Sequence, residues 1–245
     1  MKDKYILPQQ EKNKRYLLKI LLLQFLGYLE AKFMHGKIPI KTHIITEKDD
    51  IIEVVYYYTK DIAEPGDLIS IAESVVAITQ GRAYLPEDIK PGILAKILCK
   101  FTDRNGSLTS PQAMQCAINE VGRFRILIAS IIGGLGKLLG RKGWFFIIAG
   151  RKVALIDDIA GTMPPYHRYI VLGPKDPDAV CERIKEKTGV DAVIIDANDL
   201  LRADCIGASK GVDKKFIESL FIDNPSGNAE QQTPIVVIKN YKEFK

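Results

Sequence analysis

A short apolar run in the last quarter of the chain leads directly into polar residues, and this feature limits what the chain can fold into. Val193-Ile194-Ile195 is followed by Asp196-Ala197-Asn198-Asp199. A fold gains little by placing carboxylates and amides directly after a buried strand. Polar groups on loops held by a rigid scaffold can, however, converge on a charged ligand. The sequence therefore predicts a sheet with a binding site on the loops that follow this strand.

Helices and strands are mixed along the chain without a regular βαβ rhythm, which predicts an α+β (mixed α/β) fold. Strands are predicted at residues 39–46, 68–72, 169–172, 192–195 and 234–239, and helices at 49–58, 91–100, 111–121, 177–187 and 214–222. Two apolar runs, Trp144–Ala149 and Val153–Ile156, flank Gly150-Arg151-Lys152 and predict a β-hairpin. A further run, Ile126–Leu139, predicts a buried strand or helix that leads into a loop.

Composition narrows the classes of ligand. The 245 residues are 47% hydrophobic and carry a net charge of +5, which is compatible with a globular protein that binds a small anionic substrate and a nucleotide. Lys and Arg form no long block, so nucleic acid is not an expected partner. The four cysteines form no C-x-x-C pair, so neither a zinc site nor a disulfide framework is indicated. Reduced thiols favour a cytoplasmic protein.

Residues 1–36 are predicted to form an N-terminal helical extension, and residues 37–245 the main domain, with two interlocked subdomains as one option. Leu17–Leu29 is almost entirely apolar and follows Lys12, Lys14 and Arg15, so a signal or membrane-surface role is an alternative. The apolar run is shorter than the about 20 residues that span a bilayer. A helix over residues 15–33 that packs on the body or on a partner is the leading interpretation, and membrane contact is not expected.

Two segments carry a resemblance to a known family. Glu64–Pro91 contains a Pro-Gly-Asp turn, an apolar strand, a polar helix start and a Gly-Arg ending. Leu172–Leu200 contains a helix that begins with Asp-Pro-Asp, then a Thr-Gly turn, a strand and an aspartate. In this order and spacing the chain resembles the coenzyme F-420:L-glutamate ligase family over residues 40 to 212.

The resemblance implies a fold and a reaction. It implies intertwined mixed-sheet subdomains, a homodimer, and a gamma-glutamyl type of amide-bond formation that consumes GTP (or ATP) and requires Mg²⁺ or Mn²⁺, as in coenzyme F-420 biosynthesis. Amide formation at neutral pH requires a carboxylate to be activated as an acyl phosphate. The metal ion would neutralise the transferring phosphoryl group, and such hard cations prefer carboxylate oxygens.

The resemblance also places site residues. Asp196 falls where the family has a metal-ligating aspartate, and Asp157 or Asp158 falls near a second acidic position. Asp199, three residues after Asp196, is a further candidate metal ligand. Candidate nucleotide or phosphate contacts are Glu73, Ser74, Gly81, Arg82, Gly207, Ser209, Gly211, Asn224, Glu230, Gln231 and Thr233. The alternatives are structural, because acids can cap turns, an arginine can pair with a carboxylate and glycines can end elements.

Several residues depart from the family pattern. Ala197 removes a hydroxyl that usually follows the strand aspartate, and Ser74, Ile78 and Gln80 stand where the family usually has two lysines and a glutamate. Losing two lysines should weaken phosphate binding. The leading hypothesis is a ligase-like enzyme that acts on a small acidic or phosphate-containing acceptor. The alternatives are a non-catalytic nucleotide- or cofactor-binding module, and a membrane-associated scaffold that uses residues 15–33.

Overall fold

The structure is a computed structural model that describes residues 36–102, 107–141, 143–158, 164–198, 202–227 and 231–244. The predicted helix over residues 15–33 lies outside the described residues, as does nearly all of the predicted N-terminal extension. The architecture below concerns the predicted main domain.

One mixed sheet forms the centre of the protein. The strands among the described residues are β1 (Lys37–Ile40), β2 (Leu68–Ala72), β3 (Ala83–Tyr84), β4 (Ile170–Val171), β5 (Asp191–Asn198), β6 (Arg202–Ala208) and β7 (Ile235–Ile238). Five of them are ordered β1-β7-β2-β5-β6, and β3 pairs with β4. β2 and β5 are parallel, with Leu68 opposite Asp191 and Ala72 opposite Ile195, whereas the other neighbours are antiparallel.

Helices flank the sheet and confirm the predicted mixed α/β class. They are α1 (Ile51–Thr59), α2 (Glu73–Thr79), α3 (Ile93–Leu98), α4 (Pro111–Val121), α5 (Arg123–Leu138), α6 (Trp144–Ala149), α7 (Arg151–Ala154), α8 (Pro177–Thr188) and α9 (Lys214–Leu220). Short 3-10 segments lie at Pro86–Asp88, Cys99–Phe101, Tyr166–Arg168 and Tyr241–Phe244. Within the described ranges, no helix combines the length and the apolar character needed to cross a membrane.

Local capping residues set the ends of several helices where the sequence predicts them. Ser110 Oγ accepts a hydrogen bond from Ala113 N at 3.0 Å, and Pro111 occupies the first position of α4. The Asp50 side chain caps α1 in the same way. Gly189 ends α8 in the left-handed conformation, with φ of 75°.

Apolar side chains alternate across the sheet, so each face buries its own cluster. Ile194 and Val237 lie in the cluster that contains residues of α1 and α8. Val193 and Val236 lie in the cluster on the other face, with residues of α9. A third cluster joins α4 to α7 and β4. Because helices cover both faces, the ends of the strands are where polar groups can meet a ligand.

The predicted β-hairpin over residues 144–156 is wrong, because this segment forms α6 and α7 instead. Gly150, at φ of 94°, separates the two helices. A Cβ atom at Gly133 of α5 would lie 2.9 Å from Phe145 Cβ, so the glycine lets α6 approach α5 closely. Aromatic and β-branched residues favour strands only where they fit a pleated neighbour, and here the neighbour is a helix. The run Ile126–Leu139 lies largely within α5.

The expectation that the polar residues after Ile195 lie on a loop is also wrong. β5 continues to Asn198, and β6 returns beside it with Asp204 opposite Asp196. Pairing with β5 supplies the backbone hydrogen bonds of β6. The polar composition of residues 202–208 suggests a loop, and it gives no indication of this pairing. The predicted strand over residues 39–46 is wrong in its bounds, because β1 covers Lys37–Ile40 and residues 41–46 form no strand.

Candidate functional site

A cavity lies at the carboxyl ends of the two parallel strands. β2 and β5 run in the same direction, so both end at one edge of the sheet. The adjoining cavity has a volume of about 360 Å³. Its lining includes Thr42, His43, Ala72, Glu73, Ser74, Ile78, Leu155, Asp157, Tyr166, Leu172, Asp196, Ala197, Asn224, Gln232 and Thr233. The structure thus brings together six of the predicted site residues: Glu73, Ser74, Asp157, Asp196, Asn224 and Thr233.

Glu73 is the most perturbed acid in the cavity. It follows β2 directly and occupies the first turn of α2, where a carboxylate is favourable. Its Oε1 atom is buried and has no hydrogen-bond partner within the described residues. Burial, together with the negative charges of Asp196 and Asp157, raises the pKa of Glu73 to about 9. A buried acid without a partner costs stability, and acids with strongly raised pKa values cluster at functional sites.

A glycine makes room for this carboxylate. A Cβ atom at Gly173 would lie 3.2 Å from Glu73 Oε1 and 2.7 Å from Leu155 Cβ. The second distance is shorter than real Cβ contacts, so a larger residue at Gly173 would displace Leu155 from the cavity wall. The shape of the cavity wall beside Glu73 therefore depends on Gly173 having no side chain.

Asp157 is held in the cavity by its backbone. Asp157 N donates to Val171 O at 2.9 Å, and Val171 N donates to Asp157 O at 3.1 Å. These two bonds leave the carboxylate to line the cavity, where it is open on one side while protein surrounds the other. Burial and the charge of Asp196 raise the pKa of Asp157 to about 6.

Asp196 lies on β5, between the cavity and the ion pair that Arg151 forms with Asp204. Burial and the negative charge of Asp204, its neighbour on β6, raise the pKa of Asp196. Arg151 Nη2 lies 2.5 Å from Asp204 Oδ1 and donates to Cys205 O at 3.2 Å. The positive charge of Arg151 also lowers the pKa of Glu73, although by less than the acids raise it. The site therefore holds several acids and one nearby guanidinium group.

The opposite wall is polar but internally hydrogen-bonded. Asn224 is buried, and its Nδ2 donates to Gly227 O at 3.3 Å. Thr233 Oγ1 donates to Ser226 O at 2.7 Å. Tyr166 closes another side, and its hydroxyl donates to a Glu47 carboxylate oxygen at 2.5 Å.

The loop that carries His43 completes this wall. His43 Nε2 lies 3.2 Å from Asp49 Oδ1, and its Nδ1 lies 3.1 Å from the Tyr58 hydroxyl. Gln232 Nε2 donates to Thr42 O at 2.9 Å, which ties this loop to the segment before β7. The walls are thus cross-linked by hydrogen bonds. On the acidic floor, formed by Glu73, Asp157 and Asp196, the Glu73 Oε1 atom has no hydrogen-bond partner among the described residues.

The carboxylates of the cavity are chemically suited to bind a hard cation, but they are not grouped closely enough to surround one. Carboxylate oxygens are preferred ligands of Mg²⁺ and Mn²⁺, and Glu73 Oε1 has no partner in the described part of the chain. No three His, Cys, Asp or Glu residues of that part are grouped closely enough to hold an ion together. Mg²⁺ usually takes one or two carboxylates and completes its shell with water and substrate phosphates. The donor set therefore fits a cation that arrives with a phosphate-containing ligand.

Two predicted site residues lie outside the cavity and make structural contacts. Arg82 is buried, its Nε donates to Gly173 O at 2.6 Å, and its Nη2 lies 2.9 Å from Glu120 Oε2. Asp158 accepts hydrogen bonds from Ser110 N and Ser110 Oγ, both at 2.9 Å, at the start of α4. Their predicted ligand roles stay predictions, and the structure assigns each a local partner.

The predicted glycine-rich phosphate loop lies toward the other end of β5. Gly207 packs against Pro177, where a Cβ atom would lie 2.6 Å from Pro177 C. Ser209 Oγ accepts a hydrogen bond from Ala192 N at 3.1 Å, and Gly211 forms part of the following turn. Ala192 is four residues before Asp196, or about 13 Å along a strand. This loop and the acidic cavity do not form one site in the ligand-free fold.

Gly81 and Gln231 are described but do not line the cavity. Gly81 is in the turn after α2, at φ of 67°, and Gln231 packs beside Gly227. Asp199 and Glu230 lie outside the described residues. Their predicted roles stay predictions.

Arg82 offers a test that separates a structural role from a ligand-binding role. Replacing Arg82 with Ala leaves the partly buried Glu120 without its partner, so we expect the free energy of unfolding to fall by about 3 kcal/mol. Urea unfolding measures this change, with Arg168→Ala, an exposed arginine, as the matched control. Unchanged stability together with lost nucleotide binding would instead support the predicted phosphate contact.

The sequence analysis missed some features of the site. It assigned Glu73 to nucleotide binding and did not group it with the acids, and it placed Arg151 in the turn of a hairpin. His43, which the sequence did not single out as a site residue, also lines the cavity. An acid directly after an apolar strand, as at Ala72-Glu73, is the same signal that singled out Asp196. Applied to both strands, that signal would have found Glu73.

The comparisons with known proteins bear on the whole domain. The family model described as F420-0:gamma-glutamyl ligase matches residues 39–214, which is more than half of the chain. That range contains β2, β5 and β6 and the three acids of the cavity. A search of curated proteins finds no match.

Proposed function

The chain belongs to the F420-0:gamma-glutamyl ligase family, and we propose that it forms a gamma-glutamyl type of amide bond with the help of a nucleoside triphosphate and Mg²⁺ or Mn²⁺. The acceptor is a small acidic or phosphate-containing molecule, with F420-0 the first candidate because the family is named for it. GTP is the first candidate nucleotide and ATP the second. We further propose that the active form is a homodimer.

The observation that supports this proposal is the acidic floor of the cavity. Glu73, Asp157 and Asp196 each have a raised pKa, and Glu73 Oε1 has no hydrogen-bond partner in the part of the chain that the structure describes. Clustered acids repel one another, so a fold keeps them together at a cost in stability. A divalent cation removes that cost, since it is attracted to each of them.

The proposed reaction has two chemical steps, and the acids of the cavity would support the first. The acceptor carboxylate takes the terminal phosphoryl group of the nucleotide, and a nucleoside diphosphate leaves. The glutamate amine then attacks the acyl carbon, and the departing phosphate takes up the proton that the amine loses. Asp196 and Asp157 would hold the cation, which when bound neutralises charge on the transferring phosphoryl group. Glu73, protonated in the ligand-free protein, would lose its proton when the cation arrives.

The experiment that tests the proposal is a coupled assay on the full chain. The protein is incubated with F420-0, glutamate, GTP or ATP, and Mg²⁺ or Mn²⁺. We expect release of nucleoside diphosphate and a product one glutamyl residue heavier, and we expect both to stop when EDTA removes the metal. Product that forms equally well with EDTA would contradict the assignment of the acids to a metal.

A second candidate function is a non-catalytic nucleotide- or cofactor-binding module. The observation that favours it is that Ser74 and Ile78 both line the cavity, at positions where the resemblance places lysines. Among the described residues that line the cavity there is thus no lysine or arginine that would hold phosphates. This candidate predicts metal-dependent binding of a nucleotide without release of diphosphate. The same assay separates the two, because turnover excludes this alternative.

A further inference from the structure

α5 exposes a continuous apolar stripe. Six apolar residues recur at helical spacing on one side of α5, and each is between 41% and 85% exposed. They are Phe124, Leu127, Ile128, Ile131, Leu135 and Leu138. The opposite side of the same helix is buried, with Ile126 and Ala129 fully covered. The helix therefore has one apolar side in the core and a second apolar side facing outward, which is not the pattern of an ordinary surface helix.

Neighbouring segments extend this stripe into a surface. α6 folds back against α5, because Gly133 and Gly136 allow Phe145 and Trp144 to approach the helix. Ile147 of α6 is 72% exposed and adds to the apolar area. Phe101, 73% exposed, lies near the C-terminal end of α5, where Lys137 Nζ donates to Phe101 O at 3.3 Å. We call the exposed apolar residues of α5 and α6 the α5–α6 face.

The charged residues of the chain segment that forms the α5–α6 face are all positive. Residues 121–156 contain seven basic residues and no acidic one. Arg123 at the start of α5 and Arg141 just after its end are both exposed. Lys96 and Lys100 of the adjoining segment that leads to Phe101 are exposed as well. An apolar surface with a basic rim is complementary to a ligand that is apolar inside and anionic at its edge.

We propose that the α5–α6 face binds the surface of an anionic lipid bilayer, with α5 lying in the plane of the interface. Such helices bury an apolar face among the acyl chains, while Lys and Arg at the rim contact anionic headgroups. The aromatic residues Phe124, Trp144 and Phe146 suit the headgroup level. This inference does not depend on the proposed function, because the acidic cavity shares no residue with the face.

Charge decides against two other occupants. A second copy of the chain would bring an identical basic rim, and because both ends of α5 are basic, either orientation of the two helices places like charges together. The N-terminal segment is also apolar, but it carries Lys12, Lys14, Arg15 and Lys19. An anionic bilayer supplies the opposite charge over the whole face.

Vesicle flotation of the full chain tests the proposal. One set of vesicles is phosphatidylcholine alone, and the other contains about a third phosphatidylglycerol. We expect binding to the anionic vesicles to be at least tenfold tighter, and to weaken as salt screens the basic rim. The double variant Ile131→Glu/Leu135→Glu should reduce this binding at least tenfold, whereas Tyr57→Glu, at an equally exposed site on α1, should not.

Each other outcome overturns the proposal. If the wild type binds neither kind of vesicle, the protein does not bind membranes. If the double variant binds like the wild type, membrane binding does not use the α5–α6 face. A double variant that converts a dimer to a monomer while the wild type ignores vesicles shows that the face is a protein interface. Should that variant fail to fold, Arg123→Gln/Arg141→Gln provides the test, since it should weaken binding to anionic vesicles at least tenfold at low salt.

Discussion

Replacing Asp196 with Asn should abolish the metal-dependent stabilisation of the protein by its nucleotide. Asparagine keeps the size of the side chain but removes the negative charge at the strand position that faces both the cavity and Asp204. A nucleotide at 100 times its dissociation constant stabilises the wild type by about 2.7 kcal/mol, or roughly 5–10 °C in melting temperature. A hundredfold loss of affinity would leave only about 0.4 kcal/mol of stabilisation.

Thermal melting with GTP or ATP, each with Mg²⁺, Mn²⁺ or EDTA, measures this effect. The matched control is Asp61→Asn, which removes a charge from an exposed position outside the cavity and should melt with the full ligand shift. In the coupled assay, Asp196→Asn should lower turnover at least a hundredfold, because the phosphoryl group loses its metal. If the Asp196 variant kept its metal-dependent shift, the acidic cavity would not be the metal site.

Replacing Glu73 with Gln should stabilise the ligand-free protein at neutral and alkaline pH. The pKa of Glu73 is about 9 in the folded protein, against an ordinary value of 4.5. Between these values the folded protein keeps a proton that the unfolded chain has released, so the free energy of unfolding falls as pH rises. From pH 5 to pH 8 we expect the wild type to lose about 4 kcal/mol from this group, or somewhat over 1 kcal/mol for each pH unit. The Gln variant, which cannot ionise, loses none of it.

Urea unfolding at several pH values measures this difference through the fluorescence of Trp144, the single tryptophan. The variant should keep a smaller decline near pH 6, because the raised pKa of Asp157 acts in the same direction. Glu53→Gln, an exposed acid paired with Lys187, is the matched control and should change stability by less than about 0.5 kcal/mol. Identical pH profiles for wild type and Glu73→Gln would show that Glu73 ionises normally.

The same variant should lose metal affinity while gaining stability. A cation at the acidic floor favours the ionised form of Glu73, so metal binding should release protons, and the rise in melting temperature that metal causes in the wild type should grow as the pH increases towards 9. Glu73→Gln starts from a higher melting temperature and should gain less from metal. Opposite signs for stability and binding distinguish a functional acid from a structural one.

Much of the fold is readable from local patterns. Ser110-Pro111 and Thr188-Gly189 mark helix ends because the required backbone conformations and hydrogen bonds lie within a few residues of the signal. The strands β2 and β7 are readable because a continuous apolar run suits a buried strand. The resemblance to the ligase family rests on Glu64–Pro91 and Leu172–Leu200, which contain β2 and Thr188-Gly189, and the family match over residues 39–214 confirms it.

Nonlocal contacts account for the rest. Arg202–Ala208 becomes a strand only because β5 pairs with it, and Trp144–Ala149 becomes a helix only because Gly133 admits Phe145 against α5. The acids of the cavity also show this contrast between local signals and nonlocal contacts. Asp196 is recognisable from its position after an apolar run, but its proximity to Glu73 depends on the parallel pairing of β2 with β5, whose residues are more than 100 positions apart. Charge repulsion and burial act through space, so the pKa values of these acids follow from that pairing and not from their neighbours along the chain.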